Sequence, residues 1–340
     1  MKTTLDIPTT STVEIQRLFD LQQANHLNVG KSSAKERIGK LDRLLEAILR
    51  YRPQIKEAMY ADFKKPPFEV DGVEVYPVTG AIKHARRHLR RWMKPQKVPT
   101  PLAFAGSTSW VQYEPKGVCL IISPWNFPFN LSFVPLVSAI AAGNCAILKP
   151  SESTPHSSAL IKKIVSELFD ENEVAVVEGA VQESQDLLDL PFNHIFFTGS
   201  PQVGKIVMAA AARHLASVTL ELGGKSPTVV DETADLMAAA QRLVRGKFAN
   251  AGQICIAPDY VFVHEKVKDR FLEKYKQVLR EAFGENPQAS ASYARMVTRK
   301  QYGRVKRFLH EALAKGARLE AGGRTDHADL YIEPPGLTHF

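Results

Sequence analysis

GVCLIISPWNFPFNLSFVPLVSAIAAGNCAILKPSEST, residues 117–154, is the stretch on which the fold turns. Two short uncharged runs, Gly117–Ser123 and Cys145–Leu148, flank a helical pattern over Leu131–Ala142. Neither run alternates apolar with polar residues, so each reads as a strand buried on both faces. Strand, helix and strand in this order form a βαβ unit with parallel strands. The texture continues downstream. Val174–Val177, His194–Phe197 and Val218–Leu222 read as further buried strands, and Pro155–Leu168, Ser184–Leu188 and Val203–Ala212 as the helices between them. The expected class is therefore α/β, with a Rossmann-type doubly wound parallel sheet. A second βα series follows over Ser226–Val230, Ala234–Ala249, Tyr260–His264, Val267–Phe283 and Thr298–Lys315, and predicts a second α/β domain.

Upstream of residue 114 the pattern is helical. Val13–Leu21 reads as a short helix or an arm, and Ile38, Leu41, Leu45 and Ile48 form an apolar stripe within Ser33–Arg50. Pro53–Asp62 is a third helix, broken by Pro66 and Pro67. Glu69–Trp92 reads as one long helix kinked at Pro77. Residues 94–112 are proline-rich and then strand-like.

At 340 residues the chain is long enough for two cored domains. No run of about 18 uncharged apolar residues is present, so no membrane association is expected. MKTTLDIPTTSTVEIQRLF, at the start, lacks the apolar segment and cleavage site of a secretory leader. Three cysteines cannot all pair, which fits a reducing, cytoplasmic setting. The net charge of +8 concentrates in His84–Lys97, read as a solvated helix face followed by a loop. No zinc-ligand spacing and no RNA-binding aromatic motif accompanies it, so neither a metal nor nucleic acid is expected.

The chemistry concentrates in a few places. Cys255 lies in GKFANAGQICIAPDY (246–260), a polar, glycine-containing loop rather than an apolar strand. Cys119 and Cys145, by contrast, sit inside apolar runs, where a thiol is inert. Glu221, in VTLELGGKSP (218–227), stands at a strand end before Gly223 and Gly224, which supply a tight turn between the domains. A thiol with a separate carboxylate suits covalent catalysis on a carbonyl. Asn126, in PWNFPFN (124–130), reads either as a turn asparagine or as a donor to a developing oxyanion. HIFFTGSPQVGK (194–205) lacks the GxGxxG fingerprint, but Gly199 and Gly204 flank a strand-to-helix turn suited to a pyrophosphate. Lys149 and Glu152, in AILKPSEST (146–154), follow a buried strand at the sheet edge where ligands bind.

Together the Glu221 and Cys255 runs, in this order and at this separation, strongly resemble the aldehyde dehydrogenase superfamily, nearest its class 3 branch and the coniferyl aldehyde dehydrogenases. HARRHLRRWM (84–93) and CIAPDY (255–260) carry the latter likeness, and the resemblance covers nearly everything from about residue 33 onward. It implies NAD(P)-dependent oxidation of an aldehyde to a carboxylic acid, with an aromatic, phenylpropanoid or medium-chain aliphatic substrate. It further implies Cys255 as nucleophile, Glu221 as the base that activates water and Asn126 as oxyanion donor. Trp125, Lys149, Glu152, Gly199, Ser200, Gly204 and Leu222 are the implied cofactor-binding residues. Lys149 and Glu152 would hold the adenosine ribose. The Glu152 carboxylate favours NAD, while Lys149 leaves NADP open.

The implied layout is an N-terminal helical part of the cofactor-binding domain (1–93), an oligomer-bridging strand region (94–113), a Rossmann-type core (114–222) and a catalytic domain (223–340). A homodimer is implied for the full-length form. GGRTDHADLYIEPPGLTHF (322–340) resembles the lead into a further strand, and the family's later Glu-x-Phe-Gly-Pro segment does not occur. The chain is therefore expected to be an incomplete catalytic domain, weakly active or inactive alone. The competing readings are a pseudoenzyme that keeps cofactor affinity, a relative passing the acyl group to coenzyme A or phosphate, and a nucleic-acid binder using His84–Lys97.

Overall fold

The computed structural model describes residues 8–339. The first seven residues of the leaderless N-terminal reading, and Phe340, lie outside them. The chain divides into two compact units, residues 1–54 with 72–221, and residues 55–71 with 222–340. The layout expected from sequence kept 1–93 with the cofactor half, whereas Ile55–Asp71 groups here with the later residues.

In the first unit, α1 (Thr12–Gly30) and α2 (Ala34–Arg50) precede the sheet. The arm or short helix expected at Val13–Leu21 is thus a helix of 19 residues. Ser33 caps α2 in a reciprocal capping box with Glu36, satisfying two orphan N–H groups at the helix start. Next along the chain come α3 (Arg52–Phe63) and α4 (Pro67–Val70), which from Ile55 on group with the second unit, and then α5 (Tyr76–Trp92) of the first. The single helix expected over Glu69–Trp92 is interrupted by a π-helical turn at Asp71–Val75. Pro77 is the second residue of α5, directly after that turn. A proline ring cannot donate to the preceding helical turn, and the wider π turn stands just before it.

The proline-rich stretch forms an antiparallel pair, β1 (Gln96–Val98) with β2 (Ser109–Val111). Five parallel strands follow: β3 (Val118–Ile122), β4 (Cys145–Lys149), β5 (Val174–Val176), β6 (His194–Thr198) and β7 (Ser217–Glu221). Between them run α6 (Pro128–Ala142), α7 (Pro155–Leu168), α8 (Val181–Leu188) and α9 (Pro201–Ala212). The sheet order is β5-β4-β3-β6-β7, so the winding direction reverses between β3 and β6. Val118, Leu120, Ile147 and Leu148 are fully buried, as are Phe133 and Leu136 of α6 and Ile161 of α7. These uncharged strands are sandwiched by helices, as their lack of alternation predicts.

In the second unit, β8 (Ser226–Val230) pairs in parallel with β9 (Pro258–Val263), and α10 (Leu236–Phe248) connects them. Asp235 caps α10 by accepting the Met237 and Ala238 N–H groups, each at 3.0 Å. Next are α11 (Lys268–Phe283), α12 (Arg299–Ala314), β10 (Arg318–Ala321), β11 (Thr325–Asp326), β12 (Tyr331–Ile332) and β13 (Gly336–Thr338). The core gathers Val244 and Phe248 of α10, Phe271 and Tyr275 of α11, Tyr293 and Tyr331. The segment 55–71 joins it through the Phe63 carbonyl, which accepts the Arg295 N–H at 2.9 Å, and through Lys64, paired with Asp329 at 2.6 Å.

Candidate active site

In the first unit the carboxyl ends of the parallel strands bring several of the expected residues to one sheet edge. The loop after β3 holds Trp125 and Asn126, both half-buried, before α6 begins. Glu74, fully buried, accepts the Asn130 N–H at 2.8 Å, and the Asn130 side-chain amide donates to the Val73 carbonyl at 3.0 Å. These bonds tie down the start of α6, four residues beyond Asn126.

Lys149 ends β4, is 2% exposed and donates from Nζ to the Pro150 carbonyl at 2.9 Å. Burial lowers its pKa, against the opposing pull of Glu152, whose carboxylate lies 3.9 Å away. Neither Ser151 nor Ser153 caps α7. Its N-cap is Thr154, and the Ser151 hydroxyl accepts the Ser153 N–H instead.

After β6 come Gly199 and Ser200. Ser200 caps α9 by accepting the Val203 N–H at 3.3 Å, and its carbonyl accepts the Gly204 N–H at 2.9 Å. A methyl group at Gly199 would collide with the Phe197 ring, so glycine is required there by close packing. Glu221 is the exposed last residue of β7, in register with Thr198, and Leu222 follows it. The order reversal between β3 and β6 is where open α/β sheets bind dinucleotides. The Thr198 hydroxyl at the end of β6 and the Thr154 hydroxyl ahead of α7 are buried without a hydrogen-bond partner among the described residues. Unsatisfied hydroxyls beside a positive helix N-terminus and a buried lysine fit an anionic, polar cofactor.

In the second unit, Cys255 lies between a 3-10 turn (Ala249–Gly252) and β9 and is partly exposed. Asn250 and Ala251 both have φ of 53°, and Gly252 has φ of 78°. Two consecutive non-glycine residues in the left-handed region need support from their surroundings. The Glu69 carboxylate accepts the Asn250 N–H at 2.8 Å. The Gln253 side chain donates to the Asn250 carbonyl at 2.9 Å and the Arg295 carbonyl at 3.0 Å, and accepts the Val297 N–H at 3.1 Å. On the other side, a methyl group at Gly224 would stand 2.7 Å from the Cys255 carbonyl oxygen. Gly224 is therefore fixed by the closeness of the cysteine loop as well as by its turn. Lys225 pairs with Asp259 at 2.9 Å, which Lys247 also reaches at 3.1 Å.

Burial above all pushes the thiols of Cys119 and Cys145 up to about 12 each. Sequence reasoning did not find Glu69, Glu74, Gln253 or Thr198. The roles of Glu69, Glu74 and Gln253 rest on partners distant in the chain, and only the Gly-Gln-x-Cys spacing around Gln253 hinted at one of them.

The aldehyde dehydrogenase family model matches residues 1–339. A probable coniferyl aldehyde dehydrogenase of Caulobacter vibrioides (strain ATCC 19089 / CIP 103742 / CB 15) is 43% identical over 305 residues, covering 88% of this chain and 62% of that one. The substrate-bound structure of Staphylococcus aureus AldH superposes with a TM-score of 0.91 at 44% identity, over 96% of this chain and 70% of that chain. PnpE in complex with nicotinamide adenine dinucleotide superposes with a TM-score of 0.87 at 25% identity, over 97% of this chain and 69% of that chain. The chain thus spans between 62% and 70% of the length of these proteins. It belongs to the aldehyde dehydrogenase family, oxidoreductases that convert small-molecule aldehydes to carboxylic acids with NAD(P). The α/β fold and the coniferyl likeness read from sequence agree with these matches, and the class 3 likeness agrees with aldehyde dehydrogenase family 3 member B1 of Homo sapiens, 40% identical over 93% of this chain and 66% of that one. Among the described residues no helix is long and apolar enough to cross a membrane.

Proposed function

We propose that this protein oxidises an aromatic, phenylpropanoid-type aldehyde, or a medium-chain aliphatic one, at Cys255. The observation that carries this reading is the contrast among the three cysteines. Cys119 and Cys145 are buried with strongly raised pKa values, so their thiolates are negligible at neutral pH, while Cys255 is partly exposed on a braced loop. The likeness to a probable coniferyl aldehyde dehydrogenase supports the aromatic substrate.

The Cys255 thiolate adds to the carbonyl carbon, forming a thiohemiacetal. The Asn126 side-chain amide and the Cys255 backbone N–H donate to the resulting oxyanion. NAD(P), when bound, supplies the acceptor for the hydride lost from that carbon, which leaves Cys255 acylated as a thioester. Glu221 takes a proton from water as its oxygen attacks the acyl carbon. The C–S bond breaks, and Cys255 returns as thiolate while the acid departs.

Lys149 and Glu152 would hold the adenosine ribose, Gly199, Ser200 and Gly204 the pyrophosphate, and Trp125 and Leu222 the rest of the cofactor. The Glu152 carboxylate favours NAD over NADP. In this reading residues 1–54, 72–93 and 114–222 build the cofactor-binding domain, 94–113 bridges a cytoplasmic homodimer, and residues 55–71 with those from 223 onward form the catalytic domain.

The test is NAD(P)H formation with a cinnamyl-type aldehyde and a medium-chain aliphatic aldehyde, each with NAD and with NADP. Weak formation, fastest with the aromatic aldehyde and NAD, is expected of this chain. Formation that persists at the same rate in Cys255→Ala would overturn the reading.

A further inference from the structure

A buried carboxylate outside the proposed catalytic set braces the cysteine loop. Glu69, on α4, is 7% exposed, and its carboxylate accepts the N–H of Asn250, a residue with no solvent exposure. Asn250 opens the left-handed run that ends at Gly252, three residues before Cys255. An ionisable group is unfavourable at such a depth unless a charge-assisted hydrogen bond uses it. Lys65, from the same segment, and Tyr293, from the core behind, are the titratable groups whose charges act between themselves and Glu69. Gln253 donates to the Asn250 carbonyl, so the peptide groups on both sides of the Asn250 Cα are held.

We infer that Glu69 is a positioning residue for the nucleophile: by accepting the Asn250 N–H it holds Asn250–Gly252 left-handed and so sets where the Cys255 thiol is presented. This rests on the reading of Cys255 as nucleophile.

The test compares Glu69→Ala, which removes the acceptor, with Glu69→Gln, which keeps an acceptor oxygen and removes the charge. In the protein without substrate, exchange of the Asn250 amide is expected to accelerate at least about tenfold in Glu69→Ala and to stay within about threefold of wild type in Glu69→Gln. With aldehyde, kcat is expected to fall by about 10- to 100-fold in the alanine variant, with KM within about threefold, and to recover in the glutamine variant. Unchanged Asn250 exchange in Glu69→Ala, or equal acceleration in both variants, would overturn the inference. Should Glu69→Ala not fold, Glu69→Asp, with its carboxylate withdrawn by one methylene, takes its place with the same two outcomes for Asn250. Turnover that survives Cys255→Ala would defeat the proposed function and leave the exchange result at Asn250 standing.

Discussion

The backbone N–H of Gly199 donates to the carbonyl oxygen of Glu221 at 3.0 Å. The turn proposed to meet the pyrophosphate and the carboxylate proposed to activate water are thus locked in register at the ends of β6 and β7. Because the bond is main-chain, the Glu221 side chain can be changed without loosening the turn. Glu221→Gln should fold like the wild type and accumulate acyl-enzyme. We expect a single rapid equivalent of NAD(P)H followed by turnover reduced by about 10²–10⁴-fold. Stopped-flow NAD(P)H absorbance reads both phases.

Asn126 sits in the loop before α6, whose start is secured at Asn130 by Glu74 and the Val73 carbonyl. Asn126→Ala should therefore leave the loop in place and remove one oxyanion donor. A loss of about 10²–10³-fold in kcat is expected. Steady-state kinetics check it, with thermal unfolding as a control for folding.

Burial raises the pKa of Glu69 to about 7, against the lowering effects of the Asn250 N–H and Lys65. An unfolded glutamate titrates near ~4.3, so the folded chain binds this proton more tightly. Its stabilising contribution is full below the unfolded value and is lost as pH rises from there through about 7. Glu69→Gln should flatten this dependence, gaining up to about 3 kcal/mol over wild type above pH ~7 and losing that advantage toward pH ~4. Urea midpoints across that range measure it.

A methyl group at Gly224 would stand 2.7 Å from the Cys255 carbonyl oxygen, and a backbone atom cannot yield cheaply. Gly224→Ala should destabilise the protein by about 1–3 kcal/mol. It should also shift the rate at which iodoacetamide alkylates Cys255, and peptide mass spectrometry distinguishes that thiol from Cys119 and Cys145.

Much of the fold was legible because its strands announce themselves. VCLII and CAILK carry no polar alternation, and a segment that must be buried on both faces cannot hide that requirement. Cys255 stood out because a thiol in a glycine-containing polar loop contrasts with Cys119 and Cys145 in apolar runs. The π turn before Pro77 was not legible because a π turn has no signal in composition, whereas the proline beside it is a strong local one. Glu69 and Glu74 were invisible for a different reason. Each looks like an ordinary helix-surface glutamate until folding brings Asn250 to one and Asn130 to the other.

The central claim is that Cys255 carries the oxidation. Its most direct test is aldehyde-dependent NAD(P)H formation by the wild-type protein beside Cys255→Ala, with both shown to be equally folded. The account predicts formation by the wild type that vanishes in the variant. Formation at the same rate in both proteins would contradict it.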